Sequence, residues 1–348
     1  MHIPALPVLT PTASSRPAFE RAQALNRELH EELSTIQATL VAELGGAAPP
    51  PLPAHIVTSL LDRYAELSVL DELLDADQRA LVRMQHKILV QPLFLSVPLI
   101  RRSVDRPLGY PGDYLMVEMI FGGGPVPDGL LASWLGEVVQ QSAPSRAHRY
   151  RAPWAHAWLD VLSSQQTRPL RILSFACGPE LVLRSYFRPQ SSAHVVLCDH
   201  EPRALVHAEA GLAPLLNETS TLRCVQLSAV NLLRGGARDA LLPEPSAEGF
   251  DAVLVLGLFD YLRSGLVQRL TRAFHALLRP GGLLLASNLS VANPHRSLME
   301  YVADWQVIHR AEQDFAQVML TGTGFELVQL ISDPSAANLL FVGRVRES

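Results

Sequence analysis

Between residues 170 and 345 the chain repeats one pattern: a short, continuous apolar run, a turn, then a stretch with apolar positions at helical spacing. The runs are Leu170–Ala176, Val195–Cys198, Leu222–Leu227, Ala252–Leu256 and Leu283–Ser287. A strand covered by helices on both faces buries all its side chains and reads as an unbroken apolar run. Such strands are parallel and are joined by helices, of which Gly265–Leu278 is the clearest. The expected fold is therefore a doubly wound α/β sheet. The end of the chain breaks the pattern. Phe325–Ile331 and Leu339–Val345 read as strands with no helix between them, so an antiparallel hairpin should close the sheet.

The first part of the chain reads as helical. Arg16–Leu44 has apolar residues at helical spacing, with Glu20, Arg21, Arg27 and Glu31 between them, and Gly45, Gly46 and three prolines end it. His55–Leu74 is a second helix, with Ile56, Leu60, Leu61, Tyr64 and Leu67 on one face. Asp75 or Asp77 should cap a third helix that runs to about Val90. The division expected is a helical lid or substrate domain over 1–150 and a Rossmann-like cofactor domain over 151–348.

Composition narrows the function. Hydrophobic residues make up 48% and charged residues 18% of the 348, which rules out wholesale disorder. A net charge of −5 leaves no broad basic field, so neither nucleic acid nor a membrane is an expected partner. Cys177, Cys198 and Cys224 lie in apolar runs, and no Cys or His spacing suits a metal, so none is expected. The start of the chain lacks a signal-peptide pattern. The apolar stretch near Ile88–Ile100 is too short for a membrane span and is broken by Pro92 and Pro98. A cytoplasmic protein is expected; a homodimer is left open.

Three features fall where a nucleotide-type cofactor would bind. Ser174-Phe-Ala-Cys-Gly-Pro-Glu180 follows the first strand, and Ala176 and Gly178 there let backbone approach a ligand. Asp199 ends the second strand, about 20 residues on, where a carboxylate accepts from both ribose hydroxyls. Asn231 follows the third strand, where an adenine edge would be read. A helix cap is the bland reading of Asp199, and a loop residue that of Asn231. NAD and S-adenosylmethionine fit these features equally. The Leu278-Arg-Pro-Gly-Gly282 turn and the closing hairpin resemble class I S-adenosylmethionine-dependent methyltransferases, whose seventh strand is antiparallel.

Three strings point to one branch of that class: Arg106-Pro-Leu-Gly-Tyr-Pro-Gly-Asp-Tyr114, Gly257-Leu-Phe-Asp-Tyr-Leu262, and Arg296-Ser-Leu-Met-Glu-Tyr-Val-Ala-Asp-Trp305 with Ile308-His-Arg310. Together they resemble the bacterial extracellular-factor, or 3-hydroxypalmitic acid methyl ester, biosynthesis proteins, over about residues 100–345. The resemblance implies S-adenosylmethionine as cofactor, a small acid or acyl-derived acceptor and a place in secondary metabolism. Tyr110 and Asp113 sit in a glycine turn that would fold over the cofactor, or only cap the next helix. Arg149 or Arg151 would pair with the methionine carboxylate, or be solvated charges. Gly257 would approach the cofactor at the end of the fourth strand.

Glu300, Asp304 and Arg310 are expected on one helix after the fifth strand, with Glu300 and Asp304 sharing a face. Glu300, Asp304 or His309 is the candidate base for a hydroxyl or amine acceptor, whereas a carboxylate acceptor needs none. Tyr261, Asn288, Glu300 and Asp304 are expected to line the acceptor pocket, with Arg296 and Arg310 able to hold an acid and Glu300 and Asp304 able to hold a cationic, amino-acid-like acceptor. Two other readings remain open. One is an enzyme of this fold that cyclises the cofactor itself, releasing methylthioadenosine. The other is a non-catalytic cofactor-binding regulator.

Overall fold

The structure, a computed structural model, describes residues 15–43, 53–234, 240–242 and 249–347. It divides into two compact units, Met1–Arg146 with Pro294–Gln306, and Ala147–Asn293 with Val307–Ser348. The second unit is the α/β part. Its strands are β1 (Leu170–Phe175), β2 (Ala193–Asp199), β3 (Thr221–Gln226), β4 (Phe250–Leu256), β5 (Leu278–Leu289), β6 (Phe325–Ser332) and β7 (Asn338–Val345). They form one sheet in the order β3-β2-β1-β4-β5-β7-β6. β1 to β5 pair in parallel, and β7 lies antiparallel to both β5 and β6. This is the doubly wound sheet with a closing antiparallel hairpin that the apolar runs imply. Helix Ser264–His275 turns Val267, Leu270 and Phe274 inward, and Phe274 meets Phe175 edge-on at 5.1 Å. Burying such rings contributes about 2–3 kcal/mol each.

β5 begins earlier than expected and takes in the Arg-Pro-Gly-Gly turn. Gly282 is required there, because a Cβ would come within 2.9 Å of the carbonyl oxygens of Arg279 and Phe250. The turn is tied to Asp251, which is fully buried and accepts from Arg168, Arg279 and the Arg171 N–H. Burial works against the charged form of Asp251, but these donors hold its carboxyl below its ordinary value.

The other unit holds α1 (Arg16–Glu43), α2 (Ala54–Leu73) and α3 (Ala76–Leu89). Leu25, Leu29 and Leu33 of α1 are buried, as are Leu60, Tyr64 and Leu67 of α2. Asp75 caps α3 in a reciprocal box with Gln78. The segment Pro294–Gln306, which follows β5 in sequence, belongs to this helical unit. Tyr301 donates to Asp71, Gln91 donates to the Val302 carbonyl at 2.9 Å, and Ser103 donates to the Ala303 carbonyl at 2.6 Å.

Those attachments correct the helix expected over Glu300, Asp304 and Arg310. Leu298–Val302 is a single π-helical turn, Asp304 follows it in the left-handed region at φ 50°, and Arg310 is extended, bridged to Ser290. Glu300 and Asp304 therefore share no helix face. The segment follows its partners on α2 and α3 and gives up its own helical ladder.

His86 lies in the helical core, with Nδ1 2.8 Å from the Asn26 amide oxygen and Nε2 3.4 Å from the Tyr64 hydroxyl. Burial pushes it from 6.5 down to about 3. The unfolded chain then takes up a proton near pH 6.5 that the folded chain refuses until about pH 3. Stability is complete above 6.5 and lost as pH falls through that window. The urea midpoint should fall less steeply with acidification in His86→Gln than in the wild type; parallel curves would contradict this.

Candidate functional site

In the sheet order, β1 leads to β2 on one side while β4 lies on its other side. Connections from β1 and β4 diverge there, which opens a crevice at the carboxyl ends of the strands. The loop after β1 is shaped for a close approach. Ala176, Gly178 and Glu180 all have positive φ, at 54°, 54° and 51°. A Cβ added to Gly178 would meet nothing within 4 Å, so the loop leaves open space there.

Asp199, at the end of β2, joins this loop. Its Oδ2 accepts from the Gly178 N–H at 2.9 Å, and its Oδ1 accepts from the Glu201 N–H at 3.0 Å and faces His200 Nδ1 at 3.1 Å. That contact raises the His200 pKa. The cap of the next helix, Pro202–Leu212, is Glu201 and not Asp199, so Asp199 is left to hold the crevice. Asn231 lies exposed within the short helix Ala229–Leu233.

Glu180 is a residue that the sequence reading passed over. It is 3% exposed and its Oε1 accepts from the Leu183 N–H at 3.1 Å, while its buried Oε2 has no hydrogen-bond partner. The only sequence signal was an acid in a glycine-type loop. Arg151 is 5% exposed on the helix Ala143–Ser164. Burial works to lower its pKa, with Asp260 opposing. Its Nη2 is 3.7 Å from Asp260 Oδ2 and has no hydrogen-bond partner. With the Asn338 amide turned to satisfy both neighbours, Arg151 Nε donates to it at 2.8 Å. Gly257, at φ 109°, is needed beside this guanidinium, since a Cβ would lie 2.9 Å from Arg151 Nη1. Arg149 is partly buried, two residues away.

The residues proposed for an acceptor separate into two groups. Asn288 is fully buried and donates to the Leu289 and Ile308 carbonyls at 2.8 and 2.9 Å. Arg310 donates to the Phe259 carbonyl at 2.9 Å, to the Leu262 carbonyl and to Asn288 Oδ1. Asp260 accepts from the Leu289 N–H, and burial raises its carboxyl against the pull of Arg151 and Arg310. Asn288 and Arg310 are therefore internal ties that brace the turn Phe259–Tyr261, on which Tyr261 is 38% exposed. Asp260 and Asn338 complete this bracing and were not singled out from sequence, where only the string around Asp260 stood out.

The second group lies in the helical unit. Glu300 pairs with Arg83 and, at 2.8 Å, with Arg296, while Asp304 pairs with Arg106 at 2.9 Å and Lys87 at 3.1 Å. Asp113 caps the helix Tyr114–Ile120 and pairs with Arg102 at 2.8 Å, so the turn that holds Tyr110 ends in a helix cap. Glu300 and Asp304 are thus engaged carboxylates. Among the described residues no cluster of ligands suits a metal.

At the carboxyl edge of the sheet Asp199 keeps acceptor capacity beyond its two N–H donors, Gly178 borders open space, and Nη2 of Arg151 has no hydrogen-bond partner. No family model and no curated protein sequence matches the chain. Among solved structures it is similar to a "possible exported protein" from Bordetella parapertussis, with 18% identity over 97% of this chain and 99% of that one and a TM-score of 0.49. It is also similar to magnesium protoporphyrin IX methyltransferase from Synechocystis, with bound S-adenosylmethionine, at 14% identity over 66% of this chain and 88% of that one, TM-score 0.45. A third is the N-methyltransferase NodS from Bradyrhizobium japonicum with S-adenosylhomocysteine, at 16% identity over 67% and 98%, TM-score 0.40.

Arg310→Met should cost about 3 kcal/mol or more, because it leaves the buried Phe259 and Leu262 carbonyls without their donor and Asp260 with Arg151 as its one remaining cation. Urea unfolding measures this; a loss below about 1 kcal/mol would show that the tie is dispensable.

Proposed function

We propose that the chain is an S-adenosylmethionine-dependent methyltransferase acting on a small metabolite. The observation that carries the reading is the Asp199–Gly178 hydrogen bond at the switch point of a sheet whose seventh strand is antiparallel. The resemblance of Arg106–Tyr114, Gly257–Leu262 and Arg296–Trp305 to one methyltransferase branch supports it.

The cofactor would supply a methyl group on a sulfonium, ready for in-line transfer. Asp199 accepts from the ribose hydroxyls and is held in one orientation by the Gly178 and Glu201 N–H groups. The left-handed loop Ala176–Glu180 lets backbone approach the nucleoside. Arg151, whose Nη2 faces Asp260 at 3.7 Å and makes no hydrogen bond, takes the methionine carboxylate. Methyl transfer asks the protein mainly to position and desolvate the acceptor. The carboxylates nominated as bases, Glu300 and Asp304, are both in ion pairs. An acceptor that arrives already ionised needs no base, so the reading favours a carboxylic acid, with Tyr261 as the side chain of the Phe259–Tyr261 turn that meets solvent.

The test is mass spectrometry of products from panels of hydroxy acids and amino acids. S-adenosylhomocysteine with a methyl ester is expected; methylthioadenosine, or no product with any acceptor, would contradict the reading. Asp199→Ala should weaken S-adenosylhomocysteine binding by about 2–4 kcal/mol in calorimetry, as two hydrogen bonds to a charged acceptor are lost. Unchanged affinity would remove Asp199 from the site.

A further inference from the structure

Arg171, His194 and Arg223 stand near the amino ends of β1, β2 and β3, at the end of the sheet away from the crevice. Arg171 pairs in register with His194, and Val196, two residues further along β2, pairs with Arg223. Side chains two apart on a strand share a face, so all three basic residues lie on one face of the sheet. They border a cavity of ≈ 290 Å³. The faces of a parallel sheet are ordinarily packed with apolar side chains under helices. Here three half-buried basic residues take that place.

The protein does not neutralise them. Asp251 accepts the Arg171 backbone N–H at 2.7 Å, but both its oxygens are already taken by Arg168, and one by Arg279 as well. The guanidinium of Arg171 makes no hydrogen bond or ion pair among the described residues. Arg223 gives one N–H to the Ala240 carbonyl at 2.9 Å, which steadies the side chain and leaves the rest of its fork to a ligand. His194 Nδ1 lies 3.0 Å from the Thr221 hydroxyl, so Nε2 is the ring nitrogen left over. Among the described residues no carboxylate lines the cavity. Like charges around a hollow repel one another and draw an anion in.

The lining also narrows the anion. A carboxylate has two coplanar oxygens and satisfies one arginine fork, whereas a phosphate group offers three acceptor oxygens in different directions. Arginines on β1 and β3, with a histidine on the strand between, call for the second. Val196, Leu241 and Phe250 supply an apolar wall. We propose that this cavity is a separate ligand site, for a phosphate monoester with a small apolar body. The site stands whether or not the crevice takes the cofactor.

Calorimetry on the full chain at about 0.15 M salt, with phenyl phosphate, inorganic phosphate and phenol, tests this. Phenyl phosphate should bind one per chain and more tightly than inorganic phosphate, and phenol should not bind. Arg171→Gln and Arg223→Gln should each weaken phenyl phosphate about tenfold or more. Arg346→Gln, which removes an exposed arginine on β7's far side of the sequence, should leave it within about twofold. Because the Arg171 side chain has no partner to lose, Arg171→Gln should keep the wild-type thermal midpoint or raise it. No binding of phenyl phosphate, equal binding of inorganic phosphate, or equal weakening in all three variants would overturn the proposal. So would loss of binding together with a lowered midpoint in Arg171→Gln, which would make that arginine part of the scaffold.

Discussion

The carboxyl edge of the sheet depends on one carboxylate. Asp199 takes N–H groups from the loop after β1 and from the turn after β2, and so locks two strand ends to each other. Without it the left-handed loop at Ala176, Gly178 and Glu180 would have no anchor on β2 besides the Cys177 N–H to the Cys198 carbonyl. Preorganisation of this sort matters because a ligand then gains its hydrogen bonds without first ordering the loop. The same carboxylate is held rigid by the protein and still has acceptor capacity for hydroxyl donors.

A second set of buried polar groups fixes the other side of the crevice. Arg151, Asp260, Asn288, Arg310 and Asn338 are each at most 5% exposed, and each reaches across between elements. Buried charges of opposite sign must be well satisfied, or they cost several kcal/mol. Among the described charged side chains of the α/β unit, Oε2 of Glu180, Nη2 of Arg151 and Nε of Arg310 are buried without a hydrogen-bond partner. In the helical unit the segment Pro294–Gln306 spends its charges differently. Glu300 and Asp304 meet Arg83, Arg296, Arg106 and Lys87, and its backbone gives up regular α-helix to make those contacts.

The central strands β1, β2, β4 and β5 were legible because parallel strands buried on both faces announce themselves as apolar runs, while the edge strands β3 and β6, much of them half-buried or exposed, still lie where runs of apolar residues placed them. Asp75 as a helix cap was legible for an equally local reason. What escaped was whatever depends on distant partners. Periodicity over Glu300–Arg310 suggested a helix, but Tyr301 binding Asp71 and Arg310 binding the Phe259 carbonyl decide that backbone, and no local pattern encodes either pairing. Asn288 and Arg310 read as ligand-facing polar residues because a sequence does not show that their partners are backbone carbonyls. Glu180 was missed for the opposite reason: a residue in a glycine-type loop looks incidental until its burial is seen.

The central claim is that the ends of β1 and β2 hold a nucleoside with an amino-acid tail. A crystal structure of the chain with S-adenosylhomocysteine tests it most directly. The account requires the ribose hydroxyls within hydrogen-bond distance of Asp199, with the tail's carboxylate reaching Arg151. A ligand bound elsewhere, or ribose hydroxyls directed away from Asp199, would contradict it.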